Sequence, residues 1–260
     1  MVRVTGSAEL ARPRPGQPAR EAALLLIAAA GAWAATVALA RGMAGMTGTM
    51  GLGLGVFVPV WTLMMAAMML PSVTPTALLY AKTVQRNRTV RIAGLAGGYL
   101  GAWAVAGLPA YGLARLAGWL AGGHPGAAHV LAVGLFACCG IYQLSSLKDR
   151  CLAHCRSPLA LLLHYGSYRG RLRDVRAGAH HGGYCLGCCW GLMVVLIAVG
   201  LMDVAAMVGL AAVVLIEKTW RWGPAVGRLA GAAALALAVA VIWFPWLAPG
   251  LHIPAPMPMT

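Results

Sequence analysis

Acidic residues are scarce in this chain of 260 residues, since only 6 of them are Asp or Glu and all charged residues together make up 10%. So few carboxylates can support little acid/base chemistry, and they form no recognisable carboxylate set for a di-iron centre. The sequence also contains no Walker loop, no H-E-x-x-H motif and no serine in a G-x-S-x-G elbow. We therefore expect a protein that is not an enzyme, with thiol redox activity as the alternative.

Apolar residues dominate the rest of the chain. Hydrophobic residues make up 60% of it and the mean hydropathy is +0.77, which is typical of a polytopic membrane protein. We predict an all-α membrane helix bundle of about seven transmembrane helices, with six as the alternative, in a lipid bilayer. The net charge of +14 then indicates basic cytoplasmic loops and no nucleic-acid partner, because Lys and Arg concentrate in such loops.

Charge and proline content divide the chain into three parts. Residues 1–20 predict a disordered basic cytoplasmic tail, residues 21–248 a single transmembrane helical domain, and residues 249–260 a tail rich in Pro and Met. Within the domain, residues 148–184 predict a basic cytoplasmic loop, since seven Lys and Arg against two Asp give a net charge of +5. The positive-inside rule places this loop and the N-terminus in the cytoplasm.

The apolar stretch at 190–216 is too long for one ordinary span and short for two, since a span needs about 20 apolar residues. A hairpin that turns near Met202 and Asp203 would return the following basic residues to the cytoplasm, as the positive-inside rule favours. Asp203 would then need a partner within the membrane, and we expect it to pair with Arg115.

Two cysteine pairs flank the predicted basic loop. Cys185 and Cys188 form a C-x-x-C, and Cys151 and Cys155 lie one helical turn apart on one face. Thiolates select Cu(I) and Zn(II), and cytosolic cysteines stay reduced, so ligands fit this place better than disulfides. We expect these four thiols to meet at one metal site; the alternative is that all four are reduced cysteines packed in apolar surroundings.

Further soft ligands lie near these thiols in the sequence. Cys189 follows Cys188 directly, and Met193 lies one turn further on. Met64 and Met68 are four residues apart in the second predicted span, and thioethers suit Cu(I) but not zinc. Methionines that only fill gaps between helices are the alternative. Cu(I) is therefore the first candidate for the metal ion, and Zn(II) the second.

Several segments, in this order, resemble an uncharacterised bacterial family of predicted metal-binding integral membrane proteins, a domain of unknown function. The segments are Trp61-Thr-Leu-Met64-Met65-Ala-Ala-Met68-Met69-Leu-Pro71, Cys151-Leu-Ala-His-Cys155-Arg156-Ser-Pro158, Tyr184-Cys185-Leu-Gly-Cys188-Cys189-Trp190 and Glu217-Lys218. The resemblance implies an inner-membrane location and a bound metal, with copper handling proposed. His181 matches a histidine of the family's segment before its cysteines, and we add it to the expected ligands. Asp203 stands where the family usually has Asn.

These features predict an integral membrane protein of the bacterial inner membrane that binds a soft metal at a cytosolic-side cysteine cluster. Its role would be metal handling or delivery, with a metallochaperone or a cuproenzyme as partner. The alternatives are a membrane thiol-disulfide redox protein and a structural subunit whose loop is clipped by zinc.

Overall fold

A computed structural model describes residues 17–43, 45–84 and 86–252. This part of the chain contains no strand, so the predicted all-α bundle is confirmed. Its elements are α1 (Gln17–Met43), α2 (Leu54–Thr83), α3 (Arg88–Gly123), α4 (Pro125–Gln143), α5 (Ser146–Cys155), α6 (Pro158–Gly166), α7 (Arg173–Val199), α8 (Val204–Thr219), α9 (Gly223–Trp243) and a short 3-10 helix (Pro245–Leu247).

Six of the described helices are long and apolar enough to cross a membrane, namely α1, α2, α3, α4, α7 and α9. The apolar helix α8 has 16 residues, which is about 24 Å at 1.5 Å per residue, shorter than a hydrocarbon core of about 30 Å. The predicted count of about seven spans includes α8, and the alternative of six leaves it out.

The predicted hairpin in the second half of the chain is confirmed, because α7 ends at Val199 and α8 begins at Val204. Gly200 lies in the turn at φ 122°, which L side chains rarely adopt. Asp203 Oδ1 accepts a hydrogen bond from the Ala206 N–H at 2.7 Å and so caps α8. The predicted pair with Arg115 is wrong: both side chains are exposed, and no ion pair within 4.0 Å joins them in the described chain.

Several predicted boundaries shift. Helix α1 begins at Gln17, so residues 17–20 of the predicted tail are helical, whereas residues 1–16 and 253–260 lie outside the described part. The predicted loop at 148–184 is mostly helical and contains most of α5, all of α6 and the start of α7. Ser145 caps α5 by accepting a hydrogen bond from the Lys148 N–H at 3.2 Å. The cysteines of α7 therefore lie inside a helix and not at the end of a loop.

Almost all basic side chains of the described helices lie at one end of the bundle, which we call the basic end. It is formed by the first turn of α3, by α5 and α6, by the start of α7 and by the α8–α9 connection. Arg41 and Arg115 are the exceptions among the described Lys and Arg. The turn at 200–203 lies at the opposite end, where the Gly250 N–H donates to the Ala198 carbonyl at 2.9 Å.

Glycines allow α3 and α7 to pack backbone to backbone. A Cβ atom on Gly98 would overlap the carbonyl of Val175, and one on Gly178 would overlap the carbonyl of Leu95. A Cβ on Gly182 would lie 2.9 Å from the Tyr99 carbonyl oxygen. Gly178 and Gly182 have the G-x-x-x-G spacing that permits such close helix crossings in membranes. This contact brings the middle of α3 against the thiol-bearing part of α7.

Replacing Gly178 by alanine is expected to lower the free energy of unfolding by about 1–3 kcal/mol, because the added methyl group cannot fit without separating α3 from α7. Gly183→Ala is the matched control, since nothing lies within 4 Å of a Cβ at that position of the same helix. Denaturant unfolding in detergent micelles would measure both variants. Equal stabilities would contradict the close helix crossing.

Candidate metal centre

Three thiols lie on one face of α7. Cys185, Cys188 and Cys189 follow the i, i+3, i+4 spacing that places side chains together on a helix. Their sulfur atoms all lie within 4.8 Å of one another, and all three residues are at most 1% exposed. We call these three residues the thiol group. A rigid helix therefore already holds three soft ligands at one place.

The sulfur separations fit a shared ion. Cys185 Sγ lies 3.9 Å from Cys189 Sγ, and the described cysteines are free thiols. Two thiolates that bind one ion at about 2.3 Å are themselves roughly 3.8 to 4.6 Å apart, depending on the angle at the metal. The Cys188 and Cys189 thiols both donate to the Cys185 carbonyl, at 3.1 and 2.8 Å, and thiol hydrogens in these bonds would be lost on metal binding.

Two side chains from other helices contact the first thiol of the group. Lys218 Nζ, from the last turn of α8, donates to Cys185 Sγ at 2.8 Å and to Ser72 Oγ at 3.2 Å. The Tyr99 hydroxyl of α3 lies 2.9 Å from the same sulfur, and Tyr99 is 0% exposed. Negative charge on metal-bound thiolates is costly to bury without a partner, and an ammonium group at this place would offset it. Sequence reasoning did not predict this contact of Lys218.

Replacing Lys218 by methionine is expected to weaken Cu(I) affinity about 10–100-fold, as is typical when a partner of a metal ligand is removed. The buried thiolates would then carry their negative charge without the ammonium 2.8 Å away. Competition with a Cu(I) chelator on the purified protein would measure the change. Lys82→Met is the control, because Lys82 is an exposed residue of the last turn of α2. Equal affinities of the K218M and wild-type proteins would exclude a charge role for Lys218.

The two cysteines of α5 have different positions relative to the thiol group. Cys155 Sγ lies 4.0 Å from Cys188 Sγ, at the edge of the group. Cys151 packs instead against Gly187, where a Cβ would lie 3.0 Å from its sulfur. Gly187 is about 200° around α7 from Cys185. Neither cysteine belongs to the three-thiol group, so the structure does not assemble the expected four-thiol set as one cluster.

Burial, with a contribution from nearby Cys188, raises the pKa of the Cys151 thiol above its usual value.

His181 lies one turn before Cys185 on α7 and is 4% exposed. Its ring centre lies 5.8 Å from that of Tyr99. Its Nδ1 atom is buried and has no hydrogen-bond partner in the described chain, which is unusual for a buried polar atom. His181 is outside the three-thiol group, yet it is the nearest candidate on its own helix for a further ligand.

The three methionines predicted from the sequence as soft ligands are all buried in the core that contains the thiols. Met64, Met68 and Met193 are 1%, 1% and 2% exposed. Met68 also lines a cavity of about 310 Å³ between α1, α2 and α8. Their ligation of a metal stays a prediction.

Helix α2 continues through Pro71 and Pro75 to Thr83. Each proline removes a backbone donor from the helix. Hydroxyl groups bond to nearby carbonyls, Ser72 to Met69 and Thr74 to Leu70, both at 2.8 Å. The continued helix places Ser72 beside Lys218.

A buried ion pair joins α8 to α5. Lys148 Nζ of α5 lies 2.7 Å from Glu217 Oε1 of α8, and each side chain is 1% exposed. Gln143 Nε2 of α4 donates to the same oxygen at 3.1 Å, and Arg156 donates to the Glu217 carbonyl. Glu217 therefore pairs with Lys148 and not with its neighbour Lys218. Glu217 and Lys218 are adjacent in α8, and they contact α5 and the thiol group respectively.

Fold and site together define an all-α bundle with six candidate membrane-crossing helices and a buried soft-ligand centre. The model of the PpoB2 family, described as a copper chaperone, matches residues 58–241, which is more than two thirds of the chain. The chain belongs to this family. The expected metal-related family is thereby confirmed. Neither the curated proteins nor the solved structures contain a match.

Proposed function

We propose that this protein is a copper chaperone of the bacterial inner membrane that holds Cu(I) at Cys185, Cys188 and Cys189 and delivers it to a copper-dependent protein. The observation that carries the proposal is the group of three buried sulfurs within 4.8 Å on one helix. Thiolate ligands favour Cu(I), and the family's description as a copper chaperone agrees with this choice. In this role copper is cargo, and the protein needs no catalytic residue.

The six apolar helices and the uneven distribution of charge support a membrane location. With the basic end in the cytoplasm, as the positive-inside rule favours, the thiol group would open toward the reducing side of the membrane. The N-terminus would then be cytoplasmic as well. A metallochaperone could supply copper at this end.

Metal content tests the proposal. The protein would be purified in detergent under reducing conditions from cells supplied with both copper and zinc, and its metals measured by mass spectrometry. Near-stoichiometric copper is the expected result. Zinc in place of copper would favour a structural clip, and the absence of both metals would contradict the chaperone role.

Thiol-disulfide exchange is the second candidate function, because the ammonium of Lys218 lies 2.8 Å from Cys185 Sγ and such a neighbour activates a thiol. Under this reading Cys185 and Cys188 would reduce a disulfide of a partner protein to two thiols and become a disulfide themselves, without any bound metal. Rapid alkylation of Cys185 in metal-free protein, together with metal content near zero, would favour it over the chaperone.

A further inference from the structure

A second set of metal-binding side chains lies at the basic end, outside the thiol group. His154 of α5, His164 of α6 and His180 of α7 come together from three helices. The ring centres of His164 and His180 are 5.0 Å apart, and those of His154 and His180 are 5.8 Å apart. Two imidazoles on one ion, with metal–nitrogen bonds of about 2.0–2.1 Å, place their ring centres roughly 5 to 6 Å apart. His180 therefore lies between His154 and His164, at a ring separation from each that two ligands of one ion adopt.

Tyrosines orient these rings. The Tyr168 hydroxyl lies 3.1 Å from His164 Nε2, and the Tyr165 hydroxyl lies 3.5 Å from His180 Nδ1. The ring of Tyr184 stacks on His154 with a centre separation of 3.6 Å. Imidazole ligands of metals commonly have one nitrogen held by such a partner while the other faces the ion.

One imidazole nitrogen of this cluster is buried without a partner. His154 Nε2 has no hydrogen-bond partner in the described part of the chain. A buried polar atom in a native protein is normally satisfied, so its isolation indicates a ligand that binds there. Ring stacking alone would not require a nitrogen in that position.

The cluster also lies on a path from the surface to the thiol group. His164 is exposed, and His180 and His154 are half-buried. Cys155 follows His154 directly and is 7% exposed, and its sulfur lies 4.0 Å from that of Cys188 in the thiol group. Exposed, half-buried and buried metal-binding residues are thus all present at this end of the bundle.

We propose that His154, His164 and His180 form a second metal site, where imidazoles accept copper at the basic end and pass it through Cys155 to the thiol group. Copper stays Cu(I) throughout this transfer, so no electron is exchanged. Imidazole is a borderline ligand that suits copper and holds Cu(I) less firmly than thiolate does, which favours onward transfer. The transfer rests on the proposed function, whereas metal binding by the three imidazoles stands without it.

The test uses two ions on full-length protein in detergent, purified without a histidine tag. Ag(I), a soft monovalent ion that prefers sulfur as Cu(I) does, first occupies the thiols, and mass spectrometry measures its amount. One equivalent of Cu(II) is then added, and electron paramagnetic resonance reports nitrogen couplings from bound imidazoles. The variants are the double variant H164A/H180A and, as control, His124→Ala, whose ring centre lies 4.5 Å from that of Trp119 at the far end of α3.

We expect wild-type and H124A protein to bind one Cu(II) with nitrogen couplings, and H164A/H180A to lose at least 90% of that signal. At limiting Ag(I), the double variant should load its thiols about tenfold more slowly and reach the same final amount. A full signal in H164A/H180A would overturn the imidazole site. An unchanged loading rate would overturn the transfer.

The failure of the two proposals can be distinguished. If the thiols bind no Ag(I), the proposed function fails, whatever the Cu(II) spectrum shows. If Ag(I) binds and wild-type protein shows no nitrogen-coupled Cu(II), the thiol centre stands and the histidine site is overturned. Single variants H164A and H180A, which each remove one partly exposed ring, keep the test valid if the double variant does not fold.

Discussion

Replacing Cys185 by serine is expected to remove at least nine tenths of the copper bound by the protein. Cys185 is the thiol that Lys218 and Tyr99 both contact, at 2.8 and 2.9 Å, so its replacement removes the sulfur that both partners hold in place. Its loss leaves two thiols that lack this charge partner, and an incompletely closed site binds metal weakly. Copper content after purification and chelator competition would measure the effect.

Cys151→Ser is the matched control for this prediction. Its sulfur packs against Gly187, on another side of α7, so copper content should stay within experimental error of the wild type. Cys155→Ser is expected to slow copper loading without abolishing binding, because its sulfur lies at the edge of the group. Equal copper loss from C151S and C185S would contradict the three-thiol centre and restore the four-thiol site that the sequence suggested.

Replacing Glu217 by alanine is expected to destabilise the protein by about 3–5 kcal/mol, the typical cost of leaving one charge of a buried pair without its partner. Lys148, at 1% exposure, would keep a buried ammonium with no carboxylate 2.7 Å away. Replacement of both residues by apolar ones, as in K148M/E217L, should recover most of the loss, since apolar packing often substitutes for a buried pair. Denaturant unfolding in mixed micelles would measure these changes.

The exposed pair of Asp149 and Arg228 is the control for this second prediction. Its atoms lie 3.8 Å apart with side chains 47% and 67% exposed, so Arg228→Ala should cost less than about 1 kcal/mol. E217A should also lower copper affinity, because the last turn of α8 carries Lys218 next to Glu217. A destabilisation of E217A no larger than that of R228A would show that the Lys148–Glu217 pair is hydrated and not buried.

The two buried contacts of α8 join it to different helices. Glu217 joins α8 to α4 and α5, and Lys218 joins it to the thiol of α7. A helix of 16 residues that is fixed on both sides at one turn cannot rotate without breaking both contacts. We infer that this turn keeps the ammonium against Cys185 while the helices around it pack in the membrane.

The sequence by itself determined the features that depend on local spacing. Cys185, Cys188 and Cys189 had to share a face once that segment was helical, because side chains three and four residues apart are neighbours on a helix. Apolar content determined the all-α bundle with membrane-crossing helices, and the length of the stretch at 190–216 together with the positive-inside rule favoured the hairpin. These inferences need only the period of a helix, the thickness of a membrane and the distribution of basic residues.

Only the tertiary structure decided which distant residues meet. The sequence treated Cys151 and Cys155 alike, but the packing of α5 on α7 directs one to Gly187 and the other to Cys188. Glu217 and Lys218 are adjacent in the sequence, but neighbours in a helix point about 100° apart, and each has its partner on another helix. The G-x-x-x-G spacing of Gly178 and Gly182 was a usable signal for the helix crossing behind these contacts. Spacing within a helix thus predicted the candidate ligands. Packing between helices determined which charged side chains and imidazoles lie around them.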